Sequence, residues 1–244
     1  MCCLFGFVDY TGALSVNQKN RLIRKLSIAA EARGTDATGI AYNSSRGLQI
    51  YKRPLAAHRL HLKIPAEAHV VMGHTRMTTQ GSAKKNYNNH PFFGCVKGKS
   101  FALAHNGIVW NDLELRRTKH LPRTKVQTDS FIAVQLIEQQ KALNLSSLKC
   151  MAEQVEGSFS FSVLSEQDEL WLVKGDNPLT IVHFPAFGVY VYASTAEILN
   201  KALARCGNWL GRGEKVDIAM GDIVKIDSRG HITHGTFDVS KFYR

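Results

Sequence analysis

Residues 69–81 read His69-Val70-Val71-Met72-Gly73-His74-Thr75-Arg76-Met77-Thr78-Thr79-Gln80-Gly81. The apolar, β-branched half predicts a short strand from His69 to His74. The second half is small and hydroxylated and carries one guanidinium. That change marks a strand handing over to a loop, where binding and catalytic groups concentrate. Two further stretches have the same character: Arg33-Gly34-Thr35-Asp36-Ala37-Thr38-Gly39 and Ala104-His105-Asn106-Gly107-Ile108-Val109. A fourth, Asn88-Asn89-His90-Pro91, follows the first closely.

Outward from these loops the chain is dominated by short strand-like runs rich in Val, Phe and Tyr. They are Cys3 to Val8, Gly39 to Tyr42, Leu48 to Lys52, Phe101 to His105, Ser158 to Leu164, Leu170 to Lys174, Thr180 to Phe184, Val189 to Ala193 and Asp222 to Ile226. Helices are fewer. Ser15 with Gln18 forms a capping-box pattern, followed by Leu22, Ile23, Leu26, Ala29 and Ala30 at helical spacing, with Gly34 as the stop. Further helices are predicted from about Asp129 to Lys141, from Ser146 to Val155, and from near Thr195. Helices grouped between sets of strands suit an α+β layered fold rather than alternating βαβ units.

The 244 residues contain no Pro/Gly/Ser linker and no repeat, so one domain is expected over 2–244. An apolar fraction of 44% and a charged fraction of 21% are those of a globular domain. No apolar run approaches the roughly 18 residues of a membrane span, and the N-terminus lacks a basic leader. A cytoplasmic location is the default expectation. Five scattered cysteines, without a CxxC pair, suggest neither zinc ribbon nor disulfide framework; Cys150 and Cys206 read as core thiols. The close histidine pairs, His58/His61 and His231/His234, have no Cys or acidic partner at ligand spacing, so neither metal nor cofactor is expected. The net charge of +11 allows an acidic partner or nucleic acid. Its densest groups are Arg21-Arg24-Lys25, Arg116-Arg117-Lys119 and Arg123-Lys125, with no interleaved aromatics, which favours a solvated surface over nucleic-acid binding.

A thiol becomes a nucleophile as its thiolate and needs a base. Removal of Met1 would leave Cys2 with its own α-amine, whose ordinary pKa is about 8. The Met1-Cys2 start with Leu4-Phe5-Gly6, the RGxDxxG stretch ending at Gly39, the GHTR at 73–76, Asn89-His90-Pro91, His105-Asn106-Gly107 and Thr128-Asp129 occur in one order. In that order they resemble the class II glutamine amidotransferase domain of the N-terminal nucleophile (Ntn) hydrolases. This is the glutaminase half of glucosamine-6-phosphate synthase, amidophosphoribosyltransferase, asparagine synthetase and glutamate synthase. Weaker similarity through Glu156-Gly157-Ser158-Phe159 and Ala193-Ser194-Thr195 carries it to about residue 200.

The resemblance implies a four-layer αββα sandwich of two stacked antiparallel sheets, and hydrolysis of glutamine to glutamate and ammonia through a glutamyl-thioester. It implies Cys2 as nucleophile, with the Asn106 amide and the Gly107 N–H as oxyanion donors. It implies Arg76 on the substrate carboxylate and Asp129 on its ammonium, with Met77 and Thr79 on the substrate loop. Arg33, Asp36, His74, His90 and His105 are expected to support the loops. The residues by themselves also allow a surface charge at Arg76, a helix N-cap at Asp129 and a hairpin turn at Asn106-Gly107. Cys3 stands where the family has glycine, and Met77, Thr78 and Gln80 replace its Trp, Ala and His. No acceptor domain is expected within 244 residues, so a separate acceptor or synthetase protein that receives the ammonia is implied. The alternatives are a hydrolase of larger γ-glutamyl amides and a catalytically silent binding module.

Overall fold

The computed structural model describes residues 2–243; Met1, with its expected removal, lies outside them. The elements run β1 (Cys3–Asp9), α1 (Val16–Ala30), β2 (Ala37–Ser44), β3 (Gly47–Arg53), β4 (Val70–Arg76), β5 (Phe92–Val96) and β6 (Lys99–Val109). Then follow α2 (Asp112–Thr118), α3 (Phe131–Gln139), α4 (Leu145–Gln154), β7 (Gly157–Ser165), β8 (Leu170–Lys174), β9 (Thr180–Phe184) and β10 (Val189–Ala193). The chain closes with α5 (Ala196–Cys206), β11 (Glu214–Val216), β12 (Asp222–Ile226) and β13 (Ile232–Thr236).

The strands form two antiparallel sheets, ordered β11-β9-β10-β1-β4-β2-β3 and β13-β12-β8-β7-β6-β5. Strand alternation divides their side chains between three cores. Phe5, Phe7 and Val71 of the first sheet meet Leu22, Ile23 and Leu26 of α1 and Ile198 and Leu199 of α5. Leu4, Val8, Val70 and Met72 face the other way, against Ala102, Ala104, Leu164 and Leu172 of the second sheet. Phe101, Leu103, Phe161 and Val163 pack outward on Ile132, Leu136, Leu148 and Met151 of α3 and α4. The layers are therefore helix, sheet, sheet, helix, as expected.

Local chemistry sets the helix ends. The Ser15 hydroxyl accepts the Gln18 N–H while the Gln18 side chain accepts the Ser15 N–H, closing the capping box. Thr195 caps α5 through its hydroxyl. Sequence reading missed α2, β5, β11 and β13. Each is short, and β5 alternates buried and exposed residues too briefly to stand out. Cys150 is half-buried beside Gln154 rather than in the core, whereas Cys206 is buried as expected.

Candidate active site

Register delivers Cys2 to its neighbours. β1 lies between β10 and β4, and Cys3 pairs with Thr75. One step back along the antiparallel ladder, Cys2 comes opposite Arg76. The Cys2 thiol donates to the Met77 carbonyl at 3.5 Å, and the Arg33 Nε donates to the Cys2 carbonyl at 2.8 Å. Burial pushes the Cys2 thiol above the ordinary range, opposed by the Met77 contact and the Arg76 charge. Cys3 faces the helical core, donates to its neighbour Leu4 O at 3.2 Å, and is pushed up by burial to about 11. A side chain in place of the family's glycine is thus accommodated by the core under α1.

Asn106 lies in mid-strand, paired with Ser160 of β7. Its Nδ2 donates to Ser194 Oγ at 3.3 Å. The same Oγ accepts the Leu4 N–H at 2.9 Å, and the Ser194 N–H donates to Leu4 O at 2.9 Å. Ser194 therefore ties the strand that follows Cys2 to the side chain of Asn106 on the opposite sheet. The Asn106 carbonyl accepts the Asn177 side-chain amide at 3.1 Å. Asn106-Gly107 is not a hairpin turn. Gly107 has φ of 142° inside β6, and a Cβ there would stand 1.8 Å from the Ser158 carbonyl oxygen. Only glycine fits.

Arg76 ends β4 and is buried rather than a surface charge. Its Nη1 donates to Asn89 Oδ1 at 2.8 Å, and its Nη2 donates to the carbonyls of Gln80 at 2.5 Å and Gly81 at 3.4 Å. The loop after β4 is thereby wrapped back onto its own arginine. Lys52 holds the segment carrying Asn89, donating to Asn89 O at 2.5 Å and Pro91 O at 2.9 Å; burial lowers its pKa to about 8. Asp129 does not cap α3. Its Oδ2 accepts the Val109 N–H at 2.6 Å, Oδ1 accepts the Ser130 hydroxyl, and its own N–H donates to Gln80 Oε1 at 3.0 Å. Gln80 thus bridges Arg76 and Asp129. Met77 and Thr79 are exposed on the same loop.

Asp36 Oδ2 accepts the Thr78 N–H at 2.7 Å, and its N–H donates to Arg76 O. Gly34 permits the crossing, since a Cβ there would lie 2.4 Å from the Arg76 carbonyl carbon. A cleft of about 360 Å³ is lined by Glu31, Arg33, Asp36, Met77 and Thr78 among others, and Arg33 and Met77 of that lining contact Cys2. Behind the loops, His74 Nε2 donates to His105 O at 2.9 Å, and His105 Nδ1 meets the Ser130 hydroxyl at 2.8 Å. The His74 and His90 rings stand 4.2 Å apart, and His105 stacks on Phe161. Burial depresses all three, His74 to about 3, so they are neutral at pH 7.

Sequence reading missed Ser194, Asn177 and the bridging role of Gln80. Ser194 had only a weak signal, beside the helix-capping Thr195. Asn177 had none.

A family profile described as "Glutamine amidotransferase domain" matches residues 74–201. Glutamine–fructose-6-phosphate aminotransferase from Sulfurisphaera tokodaii is 29% identical over 194 residues, covering 74% of this chain and 31% of the relative. The enzyme of that name from Bacillus thuringiensis is 30% identical over 190 residues, covering 74% and 30%. The chain thus spans about a third of the length of these relatives. In structure it matches glutamine phosphoribosylpyrophosphate amidotransferase from B. subtilis, with a TM-score of 0.73 and 18% identity, over 98% of this chain and 50% of that one. That likeness is one of fold, and it is the Ntn-hydrolase fold expected from the sequence.

Proposed function

This chain belongs to the glutamine amidotransferase domain family, and we propose that it hydrolyses the side-chain amide of glutamine through Cys2. The observation that carries the reading is the shared Ser194 hydroxyl, which brings the strand behind Cys2 and the Asn106 amide to one atom.

With Met1 removed, the α-amine of Cys2 takes the thiol proton, and the thiolate attacks the amide carbon. The oxyanion is received by the second Nδ2 hydrogen of Asn106 and by the Gly107 N–H. The tetrahedral intermediate collapses to a glutamyl-thioester, and the protonated amine gives its proton to the departing ammonia. Water then attacks the thioester by the same route and releases glutamate. Arg76 takes the substrate carboxylate through guanidinium hydrogens not spent on its own loop. Asp129 takes the ammonium, and Met77 and Thr79 close over the bound amino acid. Ammonia is largely protonated in water at pH 7, so it passes to a separate acceptor protein. No described helix is long and apolar enough to cross a membrane, and we place the reaction in the cytoplasm.

The test is chemical. Intact mass should show a chain beginning at Cys2, and a glutamine-like diazo-ketone should label that residue. Cys2→Ala should abolish glutaminase activity while Cys3→Ala retains much of it. Labelling at Cys3, or full activity with Met1 retained, would overturn the mechanism.

A further inference from the structure

The inward face of β6 runs out of the core into solvent. Ala102 and Ala104 are buried between the sheets, and Asn106 follows on the same face, also buried. Ile108, the next residue of that face, is 42% exposed, and Trp110, one residue past the end of β6, is 74% exposed. At about 3.4 Å per residue of strand, Ile108 lies roughly 7 Å beyond Asn106. Leu113, in the first turn of α2, is 72% exposed. The segment is held firmly. Trp110 N–H donates to Glu156 O at 2.8 Å, and the Asn111 side chain bridges Gln154 O and Glu156 N at 3.0 Å each. Asp112 and Leu115 form the buried side of α2. Three large apolar side chains are therefore presented to water on a fixed scaffold.

The flank is cationic. After Glu114 no acidic residue occurs until Asp129, while Arg116, Arg117, Lys119, Arg123 and Lys125 do. Arg116 pairs with Asp112 at 3.7 Å; Arg117, Lys119, Arg123 and Lys125 are exposed and make no ion pair among the described residues. A clustered apolar patch marks an interaction site, and tryptophan and arginine dominate the energetics of protein interfaces.

We infer that Ile108, Trp110 and Leu113, with the basic rim of Arg117, Lys119 and Arg123, form the docking surface for the ammonia-accepting protein. Its complementary face is an apolar pocket that takes Trp110, bordered by carboxylates. Seated there, the partner covers the strand face that leads to Asn106 and shields the released ammonia from bulk water. The identity of the occupant as ammonia acceptor rests on the glutaminase reading; the surface itself does not. The chemistry fits a protein better than a nucleic acid, because strand binding uses successive aromatic platforms, and here one tryptophan is flanked by aliphatic residues.

The test replaces Leu113 of the full chain by photoreactive benzoylphenylalanine, irradiates the cells that make it, and identifies the adduct by mass spectrometry. The captured protein is then purified and titrated against the chain. The expected result is binding that weakens with salt and falls about 10-fold or more in Trp110→Glu and in Arg117→Glu/Lys119→Glu. Both variants should keep wild-type hydrolysis of free glutamine, which shows that they fold. The inference is overturned by the absence of an adduct, by an adduct to nucleic acid, or by a captured protein that binds Trp110→Glu as tightly as wild type. Binding is read without reference to glutaminase activity, and Cys2→Ala should bind normally. A chain that docks its partner but hydrolyses no glutamine would therefore refute the function and leave the surface standing.

Discussion

The Asn106 side-chain amide donates to Ser194 Oγ at 3.3 Å, and this contact joins the two sheets at the site. An amide nitrogen has two hydrogens. Fixing one on Ser194 orients the other, which an oxyanion donor requires. The acceptor is itself fixed, because Ser194 Oγ also receives the Leu4 N–H.

Ser194→Ala should therefore lower kcat about 10-fold, the scale of one neutral hydrogen bond, with little change in KM. Steady-state kinetics checks this. The buried Leu4 N–H loses its side-chain acceptor, so a fall in Tm should accompany the kinetic loss. A fall in Tm with kcat unchanged would leave Ser194 a purely structural tie.

Asn106→Ala removes the proposed oxyanion donor itself. Its kcat should drop by roughly 10²-fold or more, with the fold retained by circular dichroism. Gly107→Ala should behave differently. Its φ of 142° and the 1.8 Å approach to the Ser158 carbonyl leave no room for a methyl group. That variant should lose folded, soluble protein rather than activity alone. Equal effects of the two substitutions on stability would contradict this division of roles.

The layered architecture was legible because β1, β4, β7 and β10 are continuous buried runs bounded by turn residues. The Ser15 capping box was equally plain, since its two partners sit three residues apart. What could not be read is contact between residues far apart in sequence. Ser194 meets Asn106 across 88 positions and Leu4 across 190. Asn106-Gly107 carries the local signature of a turn yet lies inside a strand, because β7 pairs alongside it, Ser160 opposite Asn106 and Phe159 opposite Gly107, and the Asn177 side-chain amide donates to the Asn106 carbonyl. Similarly, the pattern at Asp129 suggested a helix cap, while its carboxylate is spent on Val109 and Ser130.

Three buried histidines predict an acid limit to stability. His74, His90 and His105 have pKa values depressed by burial in the folded chain, His74 to about 3. Unfolded, each takes up a proton near pH 6.5. Above that pH both states are neutral and the contribution is complete. Below it the unfolded state binds protons that the folded state refuses, so stability falls as pH drops toward the folded pKa. Each histidine contributes a slope of up to roughly 1.4 kcal/mol per pH unit. Urea midpoints measured from pH 7 to pH 4 should decline steadily. A flat profile between pH 6.5 and 5 would mean that these rings take up protons as readily in the folded protein as in the unfolded chain.

The last prediction separates substrate recognition from loop support at Arg76 and Asp129. Both have structural duties, Arg76 to Asn89 and Gln80, and Asp129 to the Val109 N–H. Simple truncation would disturb both roles. Asp129→Asn keeps an oxygen for Val109 and removes the charge proposed to meet the substrate ammonium. Arg76→Lys keeps a cation and removes the planar fork proposed to hold the carboxylate. Loss of one charged contact in a partly closed site costs on the order of 2–4 kcal/mol, which is about a 30- to 1,000-fold loss in kcat/KM on glutamine. Much of it should appear in KM if the contact is equally strong in the ground and transition states. Propionamide lacks both charged groups, so it should be a poor substrate for the wild type and respond little to either substitution. If both variants lose activity equally on glutamine and on propionamide, these residues hold the loops and do not grip the substrate.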